Sequence, residues 1–432
     1  MIDVLLLLAL TGLMQAARSF DASGAYGGTE LAFGFLLLAA FFAARIVQRF
    51  GLPKLTGYLL VGVIAGPYVL DLVSKELATS LDVVNGVATC ILGLSAGGEL
   101  DLKRVKPVIK TLRAITVYGV LAAMVVLAAV LFVLQPLLPM FANTTMTQAL
   151  AICAVVGVAL SAQSPAVAMA LLAETRADGP LSRVVLATVV VADLVVIVVY
   201  SIVAAIAGAL VGGEVDITET MMSIGWELFG SMAFGVVIGM VIARYILSVN
   251  NGNALFALLV CVVVAEIGSR VHLDPLVVML AAGVWLRNFS RADSSALLHS
   301  FEAAELPVFL VFFALAGCKL DLGNLAAMAI PVVILAAARA TVFYFGCRLA
   351  CTRTSADPAV TKYGWTGLVP QAGLSLALVV VIQKNFPTFG TPAAVLLLSV
   401  VGLNQLFAPV LLRLSLVRSG EAGKRDSHAF AG

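Results

Sequence analysis

The sequence predicts an all-α polytopic membrane protein with 13–14 transmembrane helices and two inverted five-helix repeats, each with a broken helix. Three observations lead to this fold class. The chain is 62% hydrophobic and 12% charged, whereas a soluble domain carries roughly 25% charged residues. Its apolar runs approach the ~20 residues that a helix needs to cross a bilayer. Two of these runs are interrupted by proline and polar residues at matching positions.

Each apolar run is expected to be a helix, because backbone groups in lipid must be bonded within their own segment. We predict spans at 3–17, 31–50, 55–72, 79–97, 114–136, 147–172, 184–209, 221–243, 253–270, 275–288, 303–317, 325–350, 363–383 and 391–412. The first span is short enough to be a signal peptide. However, it lacks a basic n-region and carries Asp3. We interpret residues 1–30 as an N-terminal extra helix or signal-like segment.

The basic residues are distributed unevenly when the loops between these spans alternate across the membrane. One side receives twenty Lys and Arg residues and the other receives five. Cytoplasmic loops carry the excess of Lys and Arg. We therefore expect a multi-pass protein of the bacterial inner membrane, with loop 99–113 and the C-terminus in the cytoplasm and the acidic loop 210–220 outside. The tail 413–432 falls below the ~50 residues of a small domain.

Two broken helices occupy corresponding places in the chain. The five spans of 55–209 and the five of 275–412 form units with an odd number of spans, as in the inverted repeats of secondary transporters. The fourth span of each unit is interrupted by Ser161, Gln163, Ser164 and Pro165 in the first and by Pro370 and Gln371 in the second. Proline removes a backbone donor and clashes with the preceding turn. Paired breaks indicate a binding site near the midplane, although kinked helices that only pack together are the alternative.

Asp193 lies in the continuous apolar run 189–198. A carboxylate at the centre of a bilayer costs at least a few kcal/mol, so its side chain should face the protein interior or water. A proton or a hard monovalent cation neutralises it equally well. Competition between the two for one carboxylate produces exchange, because the empty site is costly to move. A structural, hydrogen-bonded aspartate is the alternative.

Arg339 also lies in mid-membrane, in the third span of the second repeat. Arginine does not deprotonate in proteins, so it is not a second proton carrier. We expect it to be a charge partner in the core, either offsetting negative charge or holding helix ends. The alternative is a side chain that extends to the membrane interface.

Other function classes find little support in the sequence. The six Cys and three His residues are scattered without the spacing of a zinc site, and the spans contain no nucleophile–base set. We therefore expect no enzyme, no cofactor and no metal beyond a transported monovalent cation. A net charge of +2 gives no reason to expect a nucleic-acid partner.

Five motifs, in this order, resemble the monovalent cation:proton antiporter-2 family, which includes Kef-type and Nap-type sodium or potassium/proton antiporters. They are Gly51–Pro67 (GLPKLTGYLLVGVIAGP), Leu94–Leu102 (LSAGGELDL), Ala282–Asn288 (AGVWLRN), Ala316–Leu322 (AGCKLDL) and Pro370–Gly373 (PQAG). The resemblance covers nearly the whole chain from about residue 31. Each motif alone is weak, but the ordered set is specific.

The resemblance implies a homodimeric antiporter of the sodium/proton antiporter fold that works by elevator-type alternating access. Scaffold and dimerisation helices would lie at 31–97 and 253–317, core transport helices at 114–209 and 325–412, and a linker helix at 221–243. The broken helices would cross and place Ser161, Gln163 and Ser164 beside Asp193. The implied partners are sodium or potassium, protons and the lipid bilayer, with a role in pH homeostasis.

The chain departs from this family at Ala192, where an acid or amide usually precedes the essential aspartate. Ala192 cannot pair with Arg339, so the core keeps one titratable group, and we expect electroneutral exchange. Two other functions stay open, a potassium channel-like pore and a cation-coupled organic solute symporter. A channel needs a repeated filter sequence, which is not seen, and a symporter needs a larger polar pocket.

Overall fold

The structure is a computed structural model, and it describes residues 2–20, 28–100, 102–142, 144–211, 222, 225–249, 252–271, 273–292, 307–320, 323 and 328–424. All regular secondary structure in these ranges is helical. Several residues discussed above lie outside them: Asp101, Asp321, most of the acidic loop 210–220, the start of the predicted span 303–317, residues 325–327 and the tail beyond Lys424.

The principal helices follow in chain order. They are α1 (Ile2–Phe20), α2 (Gly28–Arg49), α3 (Lys54–Ala65), α4 (Lys75–Ser80), α5 (Asp82–Glu99), α6 (Lys106–Val133), α7 (Met146–Ser161), α8 (Pro165–Thr175), α9 (Pro180–Val211), α10 (Ser231–Ser248), α11 (Asn253–Val271), α12 (Pro275–Phe289), α13 (Pro307–Cys318), α14 (Ala329–Arg353), α15 (Pro358–Tyr363), α16 (Gly373–Asn385) and α17 (Gly390–Arg418). Shorter turns occupy Leu102–Val105, Gln135–Leu137, Pro139–Phe141, Trp226–Gly230 and Gly364–Leu368.

The predicted all-helical membrane fold is confirmed. Within the described part of the chain, seven apolar spans are long enough to cross a membrane, and seven shorter apolar helices accompany them. Each of the fourteen predicted segments overlaps one of these helices.

Some predicted boundaries were wrong. The span predicted at 55–72 ends as a helix at Ala65, because Pro67 disfavours helical backbone at the residue before it and Gly66 is extended (φ −70°, ψ 174°). The span predicted at 114–136 begins at Lys106. The last helix continues to Arg418, beyond the predicted start of the tail at residue 413.

One compact unit of the chain combines Met1–Glu99 with Gly230–Asp321. Helices α5 and α12 pack closely in it, because Gly97 and Gly283 each face the backbone of the opposite helix. Ion pairs form at two places in this unit. Asp3 is buried and binds Arg49 and Arg45, the latter at 3.3 Å between Nε and Oδ1. Glu266 and Arg270 form an exposed i,i+4 ion pair on α11, with 2.6 Å between Oε1 and Nη2.

A second compact unit combines Leu100–Phe229 with Leu322–Ser427. In it, α7 packs on α6 and α9, and α14 packs on α6. A π-helical turn, Thr116–Leu121, interrupts α6 where α14 crosses it. Gly346 of α14 is so close to this turn that a Cβ atom would overlap the carbonyl group of Tyr118. The crossing of these two helices therefore requires glycine at this position.

We predict that Gly346→Ala destabilises the protein by about 1–3 kcal/mol, because the added methyl group meets backbone that cannot rotate away. Thermal unfolding in detergent measures the effect. Gly119→Ala is the control, since its Cβ atom would approach neighbouring side chains no closer than 3.6 Å and alanine is a better helix former than glycine. Equal stability of the two variants would contradict the proposed close crossing.

Candidate functional site

The first broken helix consists of α7 and α8, separated by Ala162, Gln163 and Ser164. Ser164 has extended backbone (φ −132°, ψ 103°), and its Oγ atom accepts a hydrogen bond from the Val167 amide at 3.2 Å. Pro165 occupies the first position of α8, where its missing N–H would have no helical partner in any case. The second half-helix therefore starts with Ser164 as its N-cap and Pro165 as its first residue.

The second broken helix has the same form. A 3-10 turn at Gly364–Leu368 ends before a non-helical stretch that contains Pro370 and Gln371, and α16 begins at Gly373. Gln371 is completely buried. Both predicted breaks are thus present in the same unit of the fold.

Arg339 connects the two breaks. Its side chain is 1% exposed. The guanidinium donates hydrogen bonds to the carbonyl oxygens of Leu160 (2.8 Å), Ala162 (2.6 Å), Leu368 (3.0 Å) and Val369 (2.5 Å). These bonds engage four of its five N–H groups. The hydrogen bonds of Arg339 correspond to one of its two predicted roles, which is to hold helix ends.

The electrostatics of this arrangement follow from the direction of the half-helices. The four carbonyl groups lie at the C-terminal ends of α7 and of the turn before Val369. Such ends carry partial negative charge and carbonyl groups without helical partners. A buried guanidinium supplies both the positive charge and the N–H donors that these ends lack. The ring of Phe343 covers the guanidinium, with 4.7 Å between the Arg339 Cζ atom and the ring centroid.

Asn404 supports the second break and was missed by the sequence analysis. Its Nδ2 atom donates to Gln371 Oε1 at 2.6 Å, which directs Gln371 Nε2 to the carbonyl of Leu160 (3.1 Å) and to Ser375 Oγ (3.4 Å). Asn404 is buried in α17. The signal that could have revealed it is an amide within the apolar run 391–412.

The three polar residues of the first break are fully or almost fully buried. The Ser161 hydroxyl donates to the Val158 carbonyl at 2.7 Å, and the Gln163 amide nitrogen donates to the Ser161 carbonyl. Among the described residues, Gln163 Oε1 accepts no hydrogen bond. A buried acceptor of this kind is costly, and it is available to a cation.

Asp193 lies on the buried stripe of α9 with Val196 and Tyr200, and its side chain is 9% exposed. Thr188, on the same helix, is a buried polar residue that the sequence analysis did not single out. Its hydroxyl and that of Tyr200 have no hydrogen-bond partner among the described residues. Ala192, beside Asp193, is completely buried.

The distances along α8 and α9 from the turn that joins them show how deep Ser164 and Asp193 lie. Helices α8 and α9 pack together and are joined by a short turn, so they run in opposite directions. Ser164 lies about 17 Å along α8 from Thr175, and Asp193 lies about 18 Å along α9 from Leu181, at 1.5 Å per residue. The two side chains are therefore at similar depth, as expected if they contribute to one site.

Two broken helices joined by a buried arginine, beside a helix with a buried carboxylate, define a multi-pass membrane transporter. The profile of the family described as "Sodium/hydrogen exchanger, transmembrane" matches residues 36–414. The chain belongs to the sodium/hydrogen exchanger family. This family consists of transporters and not of enzymes.

The fold is similar to that of the sodium proton antiporter MjNhaP1 from Methanocaldococcus jannaschii. A structure of that protein at pH 8 aligns with a TM-score of 0.63 at 18% identity, covering 89% of this chain and 94% of MjNhaP1. A second MjNhaP1 structure, from an electron microscopy map, aligns with a TM-score of 0.70 at 17% identity, covering 90% and 95%. These alignments confirm the predicted antiporter fold. The narrower antiporter-2 assignment stays a prediction.

We predict that Arg339→Gln lowers the free energy of unfolding by about 3 kcal/mol or more, because several buried carbonyl groups lose a charged donor. Thermal unfolding of the purified protein measures the loss. Arg348→Gln is the matched control, since Arg348 is an exposed arginine on the same helix and surface substitutions stay within about 0.5 kcal/mol. Similar unfolding temperatures for both variants would show that the breaks do not depend on Arg339.

Proposed function

We propose that this protein exchanges a monovalent cation, sodium or potassium, for protons across the bacterial inner membrane. The observation that supports this most directly is the buried carboxylate of Asp193, on a helix that packs against a broken helix. Membership of the sodium/hydrogen exchanger family supports the same reaction, and the proton antiport named for MjNhaP1 agrees with it.

The binding step in this proposal uses oxygen atoms from two elements. Asp193 supplies the negative charge, and Ser161, Gln163 and Ser164 supply neutral oxygens near the same depth. Gln163 Oε1 is the best candidate, because no described residue donates a hydrogen bond to it. A proton and a cation exclude each other at Asp193. The loaded site is neutral and can move through a low-dielectric region, whereas the empty carboxylate cannot do so cheaply.

The transport step in this proposal is elevator-type alternating access. The unit that holds Leu100–Phe229 and Leu322–Ser427 would be the moving core, because both breaks, Arg339 and Asp193 belong to it. Hydrogen bonds from Arg339 to both breaks would keep the site intact during the movement. The helices of 31–97 and 253–317 would form the scaffold and the homodimer contact, and 221–243 would be the linker.

The subgroup and the orientation are part of the same proposal. The motifs that begin with Gly51–Pro67 favour the antiporter-2 group, and the distribution of Lys and Arg supports a cytoplasmic C-terminus. We further propose electroneutral exchange of one proton for one cation. Ala192 supplies no second carboxylate. Arg339 donates hydrogen bonds to backbone carbonyls, so it acts in this proposal as a structural group with a permanent charge. One titratable group, Asp193, then carries the exchange.

We predict that Asp193→Asn abolishes cation-dependent proton flux, because the amide can neither release a proton nor neutralise a cation. The purified protein is reconstituted in liposomes with an internal pH dye, a pH gradient is imposed, and sodium, potassium or lithium is added. The cation that dissipates the gradient with the native protein is the substrate.

Glu266→Gln is the control for this experiment, since it removes a carboxylate that is exposed and paired with Arg270. Its flux is expected to equal that of the native protein. Native protein without flux for any of the three ions would contradict the proposal and favour an organic substrate or a gated pore. Flux retained in Asp193→Asn would exclude Asp193 as the exchange site.

We predict that membrane potential does not change the initial rate of exchange. Moving one net charge through 100 mV changes the free energy by about 2.3 kcal/mol, so an electrogenic exchanger would respond strongly. The potential is set with potassium and valinomycin, with sodium or lithium as the test cation. A rate that follows the imposed potential would refute one-for-one exchange.

A further inference from the structure

A buried carboxylate lies outside the site described above, in the segment after α17. Glu421 is 3% exposed. Its Oε1 atom accepts a hydrogen bond from the Leu181 amide at 2.7 Å, and its Oε2 atom accepts from the Ser182 amide at 2.8 Å and the Ser182 hydroxyl at 2.7 Å. The carboxylate thus caps the N-terminal end of α9, the helix that carries Asp193.

The backbone of the same segment is also bound in place. The Asp178 amide donates to the Glu421 carbonyl at 3.2 Å, and the Gly423 amide donates to the Thr175 carbonyl at 2.9 Å. Gly420 and Gly423 adopt positive φ angles of +74° and +75°, which let the chain turn back after α17. The segment therefore binds the end of α8 as well as the start of α9.

The capping contact is favourable for a definite reason. The first amides of a helix have no carbonyl partner within it, and its N-terminal end carries partial positive charge. A carboxylate that accepts two of these amides and a hydroxyl is compensated for its burial. Gly179 leaves room for it, because a Cβ atom at that residue would overlap the Glu421 side chain.

We propose that Glu421 is a positioning residue for the ion-binding site, and this inference rests on the proposed function. Helix α8 begins beside Ser164 and α9 carries Asp193, at similar distances of about 17 and 18 Å from the segment that Glu421 holds. Fixing the other ends of both helices fixes their relative height. Glu421 thereby sets the spacing between the oxygens of the first break and the carboxylate of Asp193.

The test uses the full chain reconstituted in liposomes. Glu421→Gln replaces one acceptor oxygen by an amide that faces N–H donors, while Glu421→Asp keeps both oxygens on a side chain one methylene shorter. Asp178→Asn is the matched control, because its exposed carboxylate binds Arg183 at 3.0 Å in the same turn. Apparent KM and Vmax are measured for the cation, and hydrogen exchange is measured for the amides of residues 164–193.

We expect Glu421→Gln to raise the apparent KM about tenfold with a much smaller change in Vmax, since misplaced ligands weaken binding. Amide exchange should accelerate at Leu181 and Ser182 and also at Val167, near the site. Glu421→Asp should restore part of the affinity, and Asp178→Asn should match the native protein.

An unchanged KM, with faster exchange confined to residues 178–183, would overturn the proposal and leave Glu421 a local cap. Native protein that carries no cation flux would refute the proposed function separately. In that case, hydrogen exchange still decides whether loss of Glu421 reaches Val167, and a change confined to the tail and the cap would refute the positioning role.

Discussion

The guanidinium of Arg339 is the constraint on which the rest of this fold depends. A helix that stops inside a membrane leaves carbonyl groups without partners, and lipid offers none. Here two helices stop, and the guanidinium of Arg339 donates hydrogen bonds to the free carbonyls of both. Gln371 and Asn404 add a neutral link between the same elements. The breaks can persist because these donors reach them.

This arrangement also limits how a cation can be bound. The negative ends of the half-helices are already engaged by Arg339, so backbone carbonyls at those ends are poor ligands for a second positive charge. On the proposed mechanism, the transported ion has to rely on side-chain oxygens, with Asp193 as the charged one and Gln163 Oε1 as the acceptor that no described residue binds. A site with one carboxylate fits exchange of one positive charge for another.

The lengths of the apolar runs predicted the spans, and the matching interruptions in two of these runs predicted the breaks and the inverted repeat. Asp193 and Arg339 stood out because charge is rare in such segments. The carbonyl partners of Arg339 could not be predicted, since they lie far away in sequence and become neighbours only when the helices pack. Glu421 was missed for the same reason, whereas Asn404 was marked in the sequence by its amide within an apolar run. The end of α3 at Ala65 was misjudged although Pro67 marked it, because apolar residues continue beyond it.

The ion pairs of Asp3 with Arg45 and Arg49 bear on how the chain enters the membrane. The acid lies at the start of α1 and the two bases lie at the end of α2, so the helices form an antiparallel hairpin whose ends meet. During synthesis, Asp3 emerges from the ribosome more than forty residues before its partners. Its buried position becomes favourable only after α2 has been made. Helices α1 and α2 are therefore expected to enter the bilayer as one hairpin.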